Sequence, residues 1–128
     1  MGRYLLDTHT AIWFFNGNDT LSKTANQIIR ALSNQIFISI TSAWELAIKI
    51  GLGKLEFHGK TVGFIRLAET NDITILPIKA IHLSSLETLP LIHRDPFDRL
   101  IIATAIAEEM TLITDDENIK RYEVSQIW

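Results

Sequence analysis

Asp7 follows the stretch RYLL, Glu45 sits between Trp44 and Leu46, Asp98 precedes the run LIIA at residues 100–103, and Asp115 and Asp116 follow LIT. Carboxylates gathered from such distant points do one kind of chemistry well: they hold a hard divalent cation. Four of them within ~6 Å of each other would repel by ~3 kcal/mol per pair at an effective dielectric of ~20, or on the order of 15 kcal/mol together. A domain's net stability is only ~5–15 kcal/mol, so protonation or a cation has to relieve them. The chain has no cysteine, which excludes thiolate sites. Oxygen donors alone point to Mg2+ or Mn2+.

Each acid also has a plainer reading. Asp95 before Pro96 is a helix cap with proline at the first helical position, and Asp95-x-x-Asp98 resembles a capping box. Asp7 suits a cap as well. Glu45 precedes Lys49 by four residues, the order of a surface ion pair worth ~0.3–0.5 kcal/mol. Asp115 and Asp116 can start a turn. Singly these readings suffice; jointly they leave Glu45 and Asp98 half-buried among apolar neighbours. Thr8, Ser42 and Thr114 each neighbour an acid and are placed to orient it or a metal-bound water. Arg94 and Arg99 flank the Asp95–Asp98 turn, available to a phosphate or to those aspartates. Lys49 and Lys54 face an anionic substrate or solvent. His9 lies two residues from Asp7, while His58, His82 and His93 lack the spacing of a zinc site. Trp13, Phe14 and Phe15 read as core or dimer contact rather than a base-stacking platform.

The elements that must position these side chains alternate along the chain. Strands are expected at residues 3–6, 36–40, 73–76, 111–114 and 123–128. Helices are expected at 10–15, 23–32, 43–50, 61–70, 80–87, 96–110 and 117–122, with Ser22 capping the second and Thr41 or Ser42 the third. Glycine breaks make residues 51–59 a loop. Strands each followed by a helix imply an α/β fold with a mostly parallel sheet covered on both faces. Ligands in such sheets bind beyond the carboxyl ends of the strands, the edge where the acids fall. No phosphate-cradling glycine motif accompanies them.

The chain's 128 residues suit one domain spanning 1–128, and 47% hydrophobic against 21% charged residues makes it globular. A net charge of −3 speaks against nucleic-acid binding by basic surface alone, though not against an enzyme whose cation meets the phosphate. No apolar run approaches the ~18 residues of a membrane span, and MGRYLLDTHT does not read as a signal peptide, so a cytoplasmic protein is expected.

Four segments together carry a resemblance: LLDTHT at 5–10, SAWELAIKIGLGKL at 42–55, HRDPFDRLIIATA at 93–105 and LITDDENIKRY at 112–122. The chain resembles PIN-domain ribonucleases, specifically VapC-like toxins of type II toxin–antitoxin pairs. That resemblance implies a three-layer α/β/α sandwich, usually a homodimer, and a Mg2+- or Mn2+-dependent endoribonuclease silenced by a cognate antitoxin. It implies Asp7, Glu45, Asp98 and Asp116 as the catalytic and metal-binding acids. Asp116 is taken over Asp115 because the family pattern reads Thr-x-Asp, and Asp95 remains the cap. Thr114 matches a hydroxyl position near the metal, and the metal would activate water to attack the phosphodiester. Arg94, Arg99 and Lys49 then become candidates for RNA phosphates.

Two other readings compete. A haloacid-dehalogenase-type phosphatase needs D-x-D after the first strand, where this chain has Asp7-Thr8-His9; a response-regulator-type phosphotransfer domain wants an early pair of aspartates. A non-catalytic PIN-like domain that only binds RNA or a partner would keep the fold without turnover.

Overall fold

The computed structural model describes residues 2–128. Five strands, β1 (Arg3–Leu6), β2 (Gln35–Ser39), β3 (Thr74–Leu76), β4 (Thr111–Ile113) and β5 (Gln126–Ile127), form one parallel sheet in the order β3-β2-β1-β4-β5. Six α-helices cover it: α1 (Thr8–Asn16), α2 (Lys23–Arg30), α3 (Ile40–Gly51), α4 (Lys60–Thr70), α5 (Ala80–Glu87) and α6 (Pro96–Glu108). The chain first winds outward from β1 to β3, then crosses back to β4 on the other side of β1. Right-handed crossovers in opposite directions put their helices on opposite faces.

Alternation along the strands shows those faces. Leu6, Ile36, Ile38 and Ile113 join the core under α1–α4, while Leu5, Leu76 and Leu112 join the one under α6 with Phe37 packed against it. Strands buried on both sides account for the continuous apolar runs RYLL, QIFIS and TLI. The chain's reversal leaves a switch point between β1 and β4, where Asp7 and Thr114 end their strands.

Three elements differ from expectation. Helix α3 begins at Ile40, capped by the Ser39 hydroxyl, which accepts from the Thr41 N–H at 3.0 Å. Neither Thr41 nor Ser42 is the cap, so both hydroxyls lie inside the first turn. The last helix contracts to a 3-10 turn, Ile119–Arg121, started by Asp116, and the final strand to Gln126–Ile127. A two-residue edge strand is all that pairing with β4 requires.

Candidate active site

Asp7 caps α1 and also closes the switch point. Its Oδ1 accepts the Thr10 N–H at 2.8 Å, and its Oδ2 accepts the Thr114 hydroxyl from the end of β4. The residue is only 4% exposed. Burial pushes its carboxyl above the usual aspartate range, with the Thr10 and Thr114 hydrogen bonds and His9 pulling the other way. Thr114 Oγ1 in turn accepts the Asp116 N–H at 3.1 Å, joining Asp7 to the second acid of the β4 end. Asp116 spends one oxygen on the N–H groups of Asn118 (2.8 Å) and Ile119 (3.3 Å).

Glu45 reaches the same edge from α3. Its Oε1 accepts the Thr8 hydroxyl at 2.8 Å, and Thr8 and Ser42 share a hydrogen bond of 2.9 Å. Its Oε2 accepts Lys49 Nζ at 2.5 Å. The expected i,i+4 pair therefore forms, but it is no surface pair, because the Glu45 side chain is 3% exposed. Burial alone would lower the Lys49 ammonium's pKa; the Glu45 hydrogen bond and the charges of Glu45, Asp95 and Asp98 outweigh it and raise it.

Asp98 sits in the first turn of α6, whose cap is Asp95: Asp95 Oδ1 accepts from Phe97 N (2.9 Å) and Asp98 N (3.1 Å). Burial, then Asp95, Asp116 and Glu45, push the Asp98 carboxyl up to about 7, while a hydrogen bond with His93 opposes them. Asp98 is therefore within the electrostatic reach of acids on α3 and beyond β4. Edge-on packing of Trp44 against Phe97, with ring centroids 4.8 Å apart, holds α3 beside α6 here. Among the described residues, His93, Asp95 and Asp98 bring candidate ligand atoms within 4.8 Å of one another. No three of Asp7, Glu45, Asp98 and Asp116 do so. A hollow of about 200 Å³ opens beside them, lined by Asp7, His9, Trp13, Asp115 and Asp116.

Several neighbours take unexpected places. The Arg99 guanidinium pairs with neither aspartate: it donates to the carbonyls of Pro90 (2.8 Å) and Leu89 (3.3 Å) and to the Tyr122 hydroxyl (3.1 Å). That hydroxyl also receives the N–H groups of Ile92 (3.2 Å) and His93 (2.9 Å), fixing the loop ahead of α6. The loop presents His93 Nε2 to Asp98 Oδ2 at 3.1 Å. His93 lacks zinc spacing in the sequence, and its place five residues before Asp98 is the one sequence signal for this contact. Arg94 and Lys54 are exposed. Asp115 pairs with Lys120 at 2.9 Å and remains at the hollow's rim. Phe14 joins the core and Phe15 packs against it, but Trp13 faces the hollow.

The donors are mostly hard oxygens on a strand-end edge, and candidate ligand atoms of His93, Asp95 and Asp98 already lie within 4.8 Å of one another, so the residues present fit Mg2+ or Mn2+. No helix among the described residues is long and apolar enough to cross a membrane.

Comparison with known proteins agrees with this architecture. A search of curated proteins finds no match. Among solved structures, VapBC2 from Rickettsia felis, bound to a DNA fragment from its promoter, superposes with a TM-score of 0.74 at 23% identity, over 98% of this chain and 97% of that one. VapBC-1 from nontypeable Haemophilus influenzae gives 0.69 at 17%, over 98% and 96%. A toxin–antitoxin complex from Klebsiella pneumoniae gives 0.66 at 20%, over 98% and 96%. At these identities the likeness speaks for the fold. The sequence itself matches the family model described as PIN domain over residues 4–124. With nearly its whole length covered by that match, the chain belongs to the PIN domain family.

Proposed function

We propose that this chain is a Mg2+- or Mn2+-dependent endoribonuclease, the toxin of a toxin–antitoxin pair, working in the cytoplasm as a homodimer until its antitoxin binds. The observation that carries the reading is the gathering of acids from distant parts of the chain at one end of the sheet: Asp7 and Asp116 both bonded to Thr114, Glu45 held by Thr8, and Asp98 in the first turn of α6 with its carboxyl pushed up by burial and by Asp95, Asp116 and Glu45. A divalent cation would stabilise such a cluster. Asp7 and Asp98 would hold that cation, with Glu45 and Asp116 completing the set directly or through water. Bound there, it supplies Lewis acidity, activating water and offsetting charge on the phosphoryl oxygens.

The chain's own residues do the rest. Thr10 N–H and Thr114 pin both Asp7 oxygens, so the carboxylate meets a ligand in a fixed orientation. Thr8, with Ser42 behind it, holds Glu45 in the same way. Glu45 or Asp116 would be the carboxylate to accept the proton of a metal-activated water. Lys49, bonded to Glu45, and exposed Arg94 would offer positive charge to RNA phosphates. Arg99 is committed to its loop and is withdrawn from that role. A partner that silences the site would bring positive charge to this acidic edge, in keeping with the toxin–antitoxin complex among the structural neighbours.

The test is RNA cleavage by the purified chain with Mg2+ or Mn2+ and with EDTA. Activity should vanish on chelation, and Asp7→Asn should abolish it while circular dichroism stays unchanged. Near-parental cleavage by Asp7→Asn would refute the site. Absence of cleavage by the parent under every metal condition would leave a binding domain.

A further inference from the structure

The run Trp13-Phe14-Phe15 divides its work. Phe15 turns inward, its ring 5.3 Å from Phe64 and 6.5 Å from Phe57, and Phe14 is buried. Trp13 belongs to neither hydrophobic cluster. It stays half-buried and walls the hollow that Asp7 and Asp116 also line. Two more rings stand against it: His9 at 5.9 Å and a 43° tilt, and Trp128 edge-on at 5.8 Å. Trp128 also lines a second hollow, of about 380 Å³, together with Thr114 and Lys120. The two hollows have no lining residue in common, but the Thr114–Asp7 hydrogen bond and the Trp13–Trp128 contact join their linings, and Trp128 is itself packed against the core under α1–α4.

Anions have no place on this wall, because aromatic faces and carboxylates both repel them. A flat, neutral, polarisable group does: it gains from stacking on indole, and carboxylates beside it accept its N–H groups. In RNA that group is the nucleobase, while the phosphate needs the acids and their cation. We propose that Trp13, with His9 and Trp128, forms a subsite that stacks one unpaired nucleobase next to the scissile phosphate. The subsite rests on the ribonuclease reading and takes a base that is not held in a duplex, since a paired base cannot reach the rings.

The experiment uses an Asp7→Asn background, so that RNA is bound and not cut, and labelled single-stranded octanucleotides with Mg2+. Each octanucleotide carries one abasic residue in turn, and affinity is read by fluorescence anisotropy. One position should be base-sensitive, losing roughly tenfold in affinity when its base is removed. Adding Trp13→Ala should weaken intact RNA by about the same factor and make that position insensitive, while Trp13→Phe restores most of the loss. Equal weakening of intact and abasic RNA by Trp13→Ala, or no sensitive position, overturns the subsite. Cleavage by the chain with Asp7 intact, measured in parallel, separates the levels. Turnover without base sensitivity removes the subsite alone, and no turnover removes the nuclease reading and the subsite together.

Discussion

Helix α6 carries an acid at each end, and the two are treated in opposite ways. Asp98 lies in its first turn, where the helix dipole favours a negative charge, and Glu108 is its last residue, where the dipole opposes one. On the dipole alone Asp98 should be the stronger acid. The reverse holds: Asp98 is pushed up to about 7, and Glu108 is pulled below the usual glutamate range, chiefly by its hydrogen bond with His82. Glu108 has His82 Nε2 at 2.6 Å and Lys79 Nζ at 3.2 Å; Asp98 has other acids around it. A dipole worth ~0.3–1 kcal/mol is overruled by immediate partners at both ends. The lesson is that one end is internally neutralised and structural, while the other is left short of positive charge, as a site awaiting a cation would be.

The largest effect should come from exchanging charge at each end. Asp98→Asn is expected to lower RNA cleavage by roughly a thousandfold, as loss of a metal-holding carboxylate would. Glu108→Gln should leave the rate within about twofold. Comparable losses from both substitutions, measured on protein of checked fold, would erase the distinction between the ends.

The histidines sharpen the contrast on a smaller scale. His82 is fully buried between the Lys79 N–H and Glu108, so His82→Ala leaves a cavity and unsatisfied groups and should cost about 2–4 kcal/mol in denaturant unfolding. His93 touches Asp98 at the partly open end. His93→Ala should change stability little but weaken Mn2+ binding roughly tenfold, with His93→Gln recovering most of it. Titration calorimetry would check the second half; unchanged Mn2+ affinity in His93→Ala would deny the imidazole any positioning role.

How far the sequence revealed these two ends follows from the range of the forces. Runs of apolar residues and caps such as Ser22 and Asp95 are local, so the strands, most helices and the acidic edge are legible in the sequence. Ser39 has the sequence context of a strand end, and only the turn of its hydroxyl to the Thr41 N–H makes it the α3 cap, two to three residues ahead of the expected Thr41 or Ser42. Arg99 was beyond reach for a different reason. Its partners, Leu89, Pro90 and Tyr122, lie up to 23 residues away, and no spacing rule links an arginine to loop carbonyls. The same holds for His82 and Glu108, 26 residues apart. The carboxylates were legible as types and as strand ends; Thr8 and Thr114 as tethers between them needed the sheet order to be known.

Protons should distinguish the ends most finely. Burial and the neighbouring acids push the Asp98 carboxyl up from the usual 3.8 to about 7. The folded state therefore holds this proton more tightly, and the stability it contributes is full below about pH 4 and lost as pH rises through about 7. Asp7, also raised by burial, acts with the same sign. Glu108 is lowered from 4.5, so its contribution is present above that value and fades as pH falls through the lowered one. In EDTA, unfolding free energy should decline between pH 4.5 and 7.5 by on the order of 1–2 kcal/mol, allowing for the water that reaches Asp98. Asp98→Asn should flatten that decline to the share left by Asp7, whereas Glu108→Gln should leave it intact. Saturating Mg2+ should reverse its sign, because the cation competes with the proton for the same oxygens. Urea unfolding at half-unit pH steps reads all four curves. A parent whose stability is flat across this interval and indifferent to Mg2+ would mean that the acids at the start of α6 are as fully compensated as the one at its end.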